Sequence, residues 1–186
     1  HPDVIRGTVP INGVVQLNSA DMAGLALANG LPATVPGIGS DIKAPGVTEL
    51  AYPEVPVLAF RQVYGLMAVT HDLLPRIKCP ALVIQAREDH VVDPSNGPRI
   101  VRRLGSSLID FRWLDHSYHV ATLDNDLDLI GCETLAFIRS IAGEPVRNFV
   151  FEAQHDEQEH LCQARRSRRQ PAWRRCRRSP KNSLNN

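Results

Sequence analysis

The chain has 186 residues, 43% of them hydrophobic, which is enough for one domain with a buried core. No apolar run approaches the ~20 residues that cross a bilayer, and no secretory signal opens the sequence, so we expect neither a membrane span nor export. The net charge of +1 conceals an asymmetry: residues 1–146 carry 11 Lys and Arg against 16 Asp and Glu, whereas residues 147–186 carry 10 against 4. This change predicts a boundary near residue 146.

The first half of the chain predicts a strand, an irregular segment and a helix. "VIRGTVPINGVV" (Val4–Val15) is rich in Val and Ile and predicts a strand that turns at Asn12-Gly13. Residues 16–54 are rich in Ala, Gly and Pro but too apolar for a disordered linker, which indicates a segment packed on the domain as a lid would be. Residues 55–70 predict a helix with one apolar stripe. Its members are Leu58, Val63, Leu66, Met67 and Val69.

The second half alternates strands and helices. "CPALVIQA" (Cys79–Ala86) is a continuous apolar run, typical of a strand buried on both faces of a parallel sheet. Asp93–Gly105 begins with Asp and Pro and ends at Gly, which predicts a helix with Asp93 as its N-cap. Ser107–Leu114 predicts a second strand, and Asp124–Gly143 predicts an amphipathic helix. This order is typical of βαβ units and a parallel sheet.

A charged residue follows each of these two strands. Asp89 lies three residues after the first strand, and His119 follows the second after a short loop. Catalytic groups of open parallel sheets lie beyond the carboxyl ends of the strands, and consecutive strands of a βαβ unit are usually neighbours. We therefore expect Asp89 to lie within hydrogen-bonding reach of His119. The carboxylate would then fix the imidazole tautomer and leave the other ring nitrogen free as a general base.

"PALVIQAREDHVVDP" and "WLDHSYHVATLDND", followed by the final helix, resemble the C-terminal half of an α/β-hydrolase of the bacterial carboxylesterase and monoacylglycerol lipase type. The resemblance covers about residues 1–142. It implies that Asp89 is the acid and His119 the base of a Ser-Asp-His triad, with Ser117 and Asp124 completing a Ser-x-His-x-x-x-x-Asp motif. It also implies hydrolysis of small-molecule carboxylic esters of short to medium acyl chain, with no cofactor and no metal.

The fold class expected from the resemblance is α/β: a partial α/β-hydrolase sheet with the last three parallel strands, a cap insertion and a disordered basic tail. The expected domains are residues 1–15 as a core strand after the nucleophile helix, 16–74 as the cap, 75–146 as the C-terminal half of the core, and 147–186 as the tail.

In this family the nucleophile lies upstream, in a Gly-x-Ser-x-Gly elbow. The sequence has no such elbow, since "GIGSD" and "GSS" lack its spacing and context. The absence of an initiator Met also predicts that the sequence begins within a domain. We expect the chain to carry the acid and base only and to be inactive alone.

Other residues have competing interpretations. Asp93 is a rival acid, although Asp before Pro is better explained as an N-cap. His116 with Asp115 is a weak metal candidate, because further ligands are not evident. We expect Asp124 to cap the final helix and Ser117 to be a loop hydroxyl. Peptidase, thioesterase or haloalkane chemistry on the same scaffold stays open, because fold does not determine function.

The basic tail and the cysteines bear on partners and location. Eight Arg lie between Arg165 and Arg178 without an apolar face, which predicts disorder. Basic clusters bind nucleic acids and anionic membranes, so the alternative function is a non-catalytic binding module. We favour a third interpretation, translation of a GC-rich gene in the wrong frame, and expect no specific nucleic-acid partner.

The four widely spaced cysteines form neither a zinc motif nor a disulfide framework, which predicts a reducing cytoplasm. The sequence does not indicate the oligomeric state.

Overall fold

The structure is a computed structural model that describes residues 4–17, 30 and 32–143. The predicted basic tail, residues 147–186, lies outside the described residues. Within the described ranges, none of the helices has the length and apolar character required to cross a bilayer.

A short hairpin and a helix come first among the described elements. β1 (Thr34–Pro36) pairs antiparallel with β2 (Glu54–Pro56), and α1 (Val57–Leu73) follows directly. The connection between β1 and β2 is long and irregular, in keeping with its Gly and Pro content. The predicted apolar stripe of α1 is mostly exposed: Met67 is buried, whereas Leu58 is 67% exposed.

The remaining elements alternate as predicted: β3 (Ala81–Ala86), α2 (Asn96–Arg103), β4 (Ile109–Leu114) and α3 (Leu127–Ala142). β3 and β4 are parallel, with Ala81 opposite Ile109 and Ala86 opposite Leu114. Both strands therefore end at the same edge of the sheet, and the loops that follow them start side by side. Every residue of β3 is buried, which confirms the prediction of a strand covered on both faces.

The predicted strand over Val4–Val15 forms only in part. Thr8 and Ile11 make isolated parallel bridges with Ala81 and Ile84. This segment lies along the edge of β3 opposite to β4, so three extended segments run parallel. The prediction of a regular strand is wrong, although its place in a parallel sheet is as expected.

Two residues explain why the first segment is irregular. Pro10 has no N–H to donate, so one hydrogen bond of the parallel ladder is not made. Asn12 has φ 47°, in the left-handed region, and the chain turns away from the sheet there. Its side-chain Oδ1 accepts the N–H of Ala86 at 2.7 Å, where a regular strand would offer a main-chain carbonyl. The side chain of Asn12 thus completes the ladder.

Hydrophobic side chains cover both faces of β3. One cluster joins β3 to α3 and consists of Leu82, Ile84, Ala86, Leu114, Ala121, Ile130 and Phe137. The other joins β3 to α2 and consists of Val15, Leu74, Ala81, Val83, Ile100 and Leu104. α2 approaches the strand closely because Gly97 has no side chain; a Cβ there would lie 2.8 Å from Cβ of Gln85. Helices on both faces of a parallel sheet are the arrangement of doubly wound α/β domains.

The two later helices are confirmed, although each is shorter at both ends than predicted. α2 begins at Asn96, so the prediction that Asp93 is its N-cap is wrong. Asp93 Oδ1 instead accepts the N–H of Ser95 at 2.8 Å, in a turn before the helix. α3 begins at Leu127 and ends before Gly143, whose φ of 74° suits a left-handed C-cap.

We expect Leu82→Ala to lower the free energy of unfolding by about 2–5 kcal/mol, because it removes a core side chain that is only 2% exposed. Leu58→Ala is the matched control, because Leu58 lies on the surface of α1. It should change the free energy of unfolding by less than about 0.5 kcal/mol. Urea denaturation of both variants measures the difference. Equal losses in the two would contradict the assignment of β3 to the core.

Candidate active site

The two predicted site residues meet above the carboxyl edge of the sheet. His119 Nδ1 lies 3.0 Å from Asp89 Oδ2. A carboxylate only accepts hydrogen bonds, so the proton of this bond belongs to Nδ1, and Nε2 of neutral His119 is left as an acceptor. The side chain of Asp89 has no exposed surface, whereas that of His119 is 31% exposed. The imidazole thus extends from a buried carboxylate towards the surface.

Backbone amides hold the carboxylate of Asp89 in place. Its Oδ1 accepts the N–H of Val91 at 3.0 Å and that of Val92 at 2.7 Å. An Asp that binds the amides two and three residues later closes a tight turn, a common use of this residue type. Gln85 Nε2, at the end of β3, lies 3.4 Å from Oδ2. The orientation of the Asp89 carboxylate is therefore set by its own loop and by the end of β3.

Asn12 fixes the loop that carries His119. Its Nδ2 donates to the carbonyl oxygen of His119 at 2.7 Å, while its Oδ1 accepts from Ala86 at the end of β3. Asn12 is buried. One amide side chain thus joins the first extended segment, the end of β3 and the loop that carries His119.

Asp41, in the connection between β1 and β2, contacts both loops of the site. Its Oδ2 accepts the backbone N–H of His119 at 3.0 Å and that of His90 at 3.2 Å. Its Oδ1 lies 2.8 Å from the ring Nδ1 of His90. Burial raises the pKa of the Asp41 carboxyl, but the hydrogen bonds from His90 and His119 outweigh it and hold that pKa below its ordinary value.

Asp124 does not cap the final helix, so that prediction is wrong. Its carboxylate accepts the backbone N–H groups of Lys43 at 2.8 Å, Ala44 at 2.9 Å and Tyr118 at 2.9 Å. Burial raises the pKa of Asp124, but these hydrogen bonds lower it below its ordinary value. Asp124 therefore connects the loop that carries His119 to the β1–β2 connection.

The weaker candidates do not converge on His119. Ser117 is buried, and its Oγ donates to Asp126 Oδ2 at 3.0 Å while accepting the N–H of Asp126 at 2.9 Å. Asp115 pairs with Arg87 at 2.8 Å. The backbone N–H of His116 donates to Asp126 at 2.9 Å. Across the described part of the chain, no three His, Cys, Asp or Glu side chains are grouped to hold a metal ion.

The pKa of His119 is raised above its ordinary value of 6.5. The hydrogen bond to Asp89 is the largest cause, and it outweighs the partial burial, which lowers the pKa. The negative charges of Asp89, Asp41 and Glu49 add to the increase. The site therefore stabilises the protonated form of His119 more than water stabilises that of an isolated histidine.

Sequence reasoning identified Asp89 and His119 as a pair but missed Asn12 and Asp41. The Asn-Gly dipeptide signalled a turn at Asn12, because Asn tolerates the left-handed region. Nothing in the turn signal indicated the contact with a loop 107 residues away. Asp41 lies in an irregular segment without periodicity, and its contact with His119 spans 78 residues.

Comparison with known proteins shows which proteins the chain is similar to. Residues 43–126 match the family model described as serine aminopeptidase, S33. The chain is 43% identical over 143 residues to a thermostable monoacylglycerol lipase from Bacillus sp. (strain H-257), covering 77% of this chain and 56% of the relative. It is 24% identical over 90 residues to a carboxylesterase from Bacillus subtilis (strain 168), covering 48% of this chain and 37% of the relative. The chain thus spans about half the length of these relatives, or less.

Solved structures agree with this result. One of two metagenome-derived lipolytic enzymes is 54% identical, with a TM-score of 0.72, over 75% of this chain and 57% of that one. The monoacylglycerol lipase of Paleococcus ferrophilus is 17% identical, with a TM-score of 0.59, over 74% of this chain and 60% of that one. At 17% identity, the similarity to the Paleococcus ferrophilus enzyme supports only the fold. The predicted α/β-hydrolase fold is confirmed, and the chain is similar to lipases and esterases of that fold.

Proposed function

We propose that this chain supplies the acid and the base of a serine hydrolase that cleaves carboxylic esters, of the carboxylesterase and monoacylglycerol lipase type. The observation that carries the proposal is the 3.0 Å contact between His119 Nδ1 and the fully buried carboxylate of Asp89. An imidazole held in this way has a defined tautomer and a free Nε2, as a general base requires.

In the proposed reaction, Nε2 of His119 takes the proton of a serine hydroxyl while the serine Oγ bonds to the ester carbonyl carbon. The bond from that carbon to the alcohol oxygen then breaks, and His119 returns the proton to the leaving alcohol. A water molecule then attacks the acyl-enzyme with the same proton transfers through His119. This step releases the carboxylic acid product and restores the serine. Asp89 stabilises the imidazolium that forms in each step, which the raised pKa of His119 supports.

We infer that the serine lies in a segment that precedes the equivalent of residue 1, because α/β-hydrolases carry the nucleophile in a Gly-x-Ser-x-Gly elbow upstream of the acid and the base. The Oγ of Ser117 is bonded to Asp126, which argues against this serine as the nucleophile. The donors that stabilise the oxyanion would come from the same upstream part. We therefore propose that the 186-residue chain has no esterase activity alone.

The family model that matches residues 43–126 is described as a serine aminopeptidase. The two Bacillus relatives are instead a monoacylglycerol lipase and a carboxylesterase. We propose ester hydrolysis because the relative with 43% identity and the structure with 54% identity are both lipolytic enzymes. The cytoplasmic location stays a prediction.

A chimera tests the reaction. We expect that the part of the Bacillus sp. (strain H-257) lipase that precedes the aligned region, joined before residue 1, forms an enzyme that hydrolyses p-nitrophenyl esters. In this chimera His119→Ala should lower kcat by about 10⁶-fold. Asp89→Asn should lower it by about 10⁴-fold, because the tautomer of the base is no longer fixed.

Matched controls are His71→Ala and Asp72→Asn, since both side chains lie on α1 and pair with each other. Both should leave kcat unchanged. A folded chimera that is inactive on esters but cleaves aminoacyl p-nitroanilides would favour peptidase chemistry. A chimera that reacts with neither substrate nor a fluorophosphonate probe would favour the non-catalytic binding module. Ester turnover by the 186-residue chain alone, abolished by His119→Ala, would contradict the upstream serine.

The protonation of His119 gives a prediction that does not require turnover. In the 186-residue chain, NMR titration of the His119 ring should give a midpoint above 6.5. Since the folded-state pKa is raised, this interaction stabilises the fold fully below pH ~6.5 and is lost as the pH rises through the raised pKa. Asp89→Asn should lower the midpoint, and Asp72→Asn should not. A wild-type midpoint at or below 6.5 would contradict the ionic contact.

A further inference from the structure

We propose that Asp41 is a positioning residue for the Asp89–His119 pair. Its carboxylate holds together the backbones of two loops: the acid loop, which follows β3 and carries Asp89, and the base loop, which follows β4 and carries His119. The proposal rests on the proposed function, because it assigns Asp41 a part in the same site. Asp41 lies in the β1–β2 connection, outside the sheet that carries the two loops.

The contacts of Asp41 are specific to the two loops. One oxygen, Oδ2, accepts two backbone N–H groups, from His90 in the loop that follows β3 and from His119 in the loop that follows β4. These amides belong to the residue after the acid and to the base itself. A shift of either loop relative to the other would break one of the two bonds.

A second set of bonds holds Asp41 in place. Its backbone carbonyl accepts the N–H of Val120 at 3.1 Å. The backbone N–H groups of Lys43 and Ala44, two and three residues later, donate to Asp124 on the base loop. Lys43 Nζ also lies 2.9 Å from Glu88, beside the acid. The segment 41–44 is therefore bonded to both loops from several directions, and the side chain of Asp41 is only 13% exposed.

The carboxylate of Asp41 also places a negative charge near the imidazole. The charged groups that act on His119 are Asp89 from the acid loop, and Asp41 and Glu49 from the β1–β2 connection. Asp41 thus has two separable effects: two backbone hydrogen bonds, which fix geometry, and a charge, which favours the protonated ring.

Asp41→Asn and Asp41→Ala separate these effects. In Asp41→Asn, the amide oxygen can accept both backbone N–H groups while its Nδ2 donates to the ring of His90, so the geometry is kept and the charge is lost. In Asp41→Ala, both are lost. Asp72→Asn removes an exposed Asp of α1 and is the matched control.

The test uses the ¹⁵N-labelled 186-residue chain and follows two NMR signals of His119, assigned with His119→Gln. The downfield Nδ1–H proton reports the bond to Asp89, and the ring titration reports the charge. We expect wild type and Asp72→Asn to be alike. Asp41→Asn should keep the Nδ1–H signal and titrate at lower pH, and Asp41→Ala should lose the signal to exchange with water.

An Asp41→Ala chain that keeps the Nδ1–H signal and the wild-type midpoint would overturn the proposal. If Asp41→Ala does not fold, slow hydrogen exchange at the amides of His90 and His119 in the wild type, with a lowered midpoint in Asp41→Asn, would support it. Fast exchange at both amides would contradict it. These readouts do not involve hydrolysis, so an inactive chimera would refute the proposed function without deciding the role of Asp41.

Discussion

The parallel pairing of β3 with β4 is the constraint on which the candidate site depends. The last residues of the two strands, Ala86 and Leu114, are paired with each other. The loops that follow the strands therefore begin side by side. Side chains alternate between the faces of a strand, so a slip by one residue would turn each side chain of β3 to the other face. Burial of β3 on both faces excludes such a slip, since α2 and α3 pack against particular residues of it. Packing of the core thus brings the loops that carry Asp89 and His119 side by side.

The register of β3 and β4 brings the two loops together, but polar side chains fix the conformation of the loops. Asn12, Asp41 and Asp124 each bind backbone groups from segments that are distant in the sequence. Irregular loops leave amides and carbonyls without the partners that a helix or sheet provides, and unpaired buried groups are costly. Short side chains with carboxylate or amide groups satisfy them. The loops of the site are therefore held to one another by hydrogen bonds from these side chains.

The same carboxylates have an electrostatic effect. Asp89, Asp41 and Glu49 act together on one imidazole and raise its pKa. In the proposed reaction the imidazole becomes positively charged when it takes the serine proton, and negative charges already in place stabilise that form without rearrangement. Structure and chemistry are thus linked, because the groups that orient the loops also favour the charged base.

The sequence by itself determined the order of strands and helices after residue 75, the burial of β3 and the pairing of Asp89 with His119. These follow from local patterns: a continuous apolar run, helical periodicity, and charged residues just after strands. Only the tertiary structure decided that Asn12 completes the ladder, that Asp41 joins both loops, and that Asp124 binds the β1–β2 connection rather than capping α3. Each of these contacts joins segments far apart in the sequence through a single side chain, and such contacts leave no periodic signal.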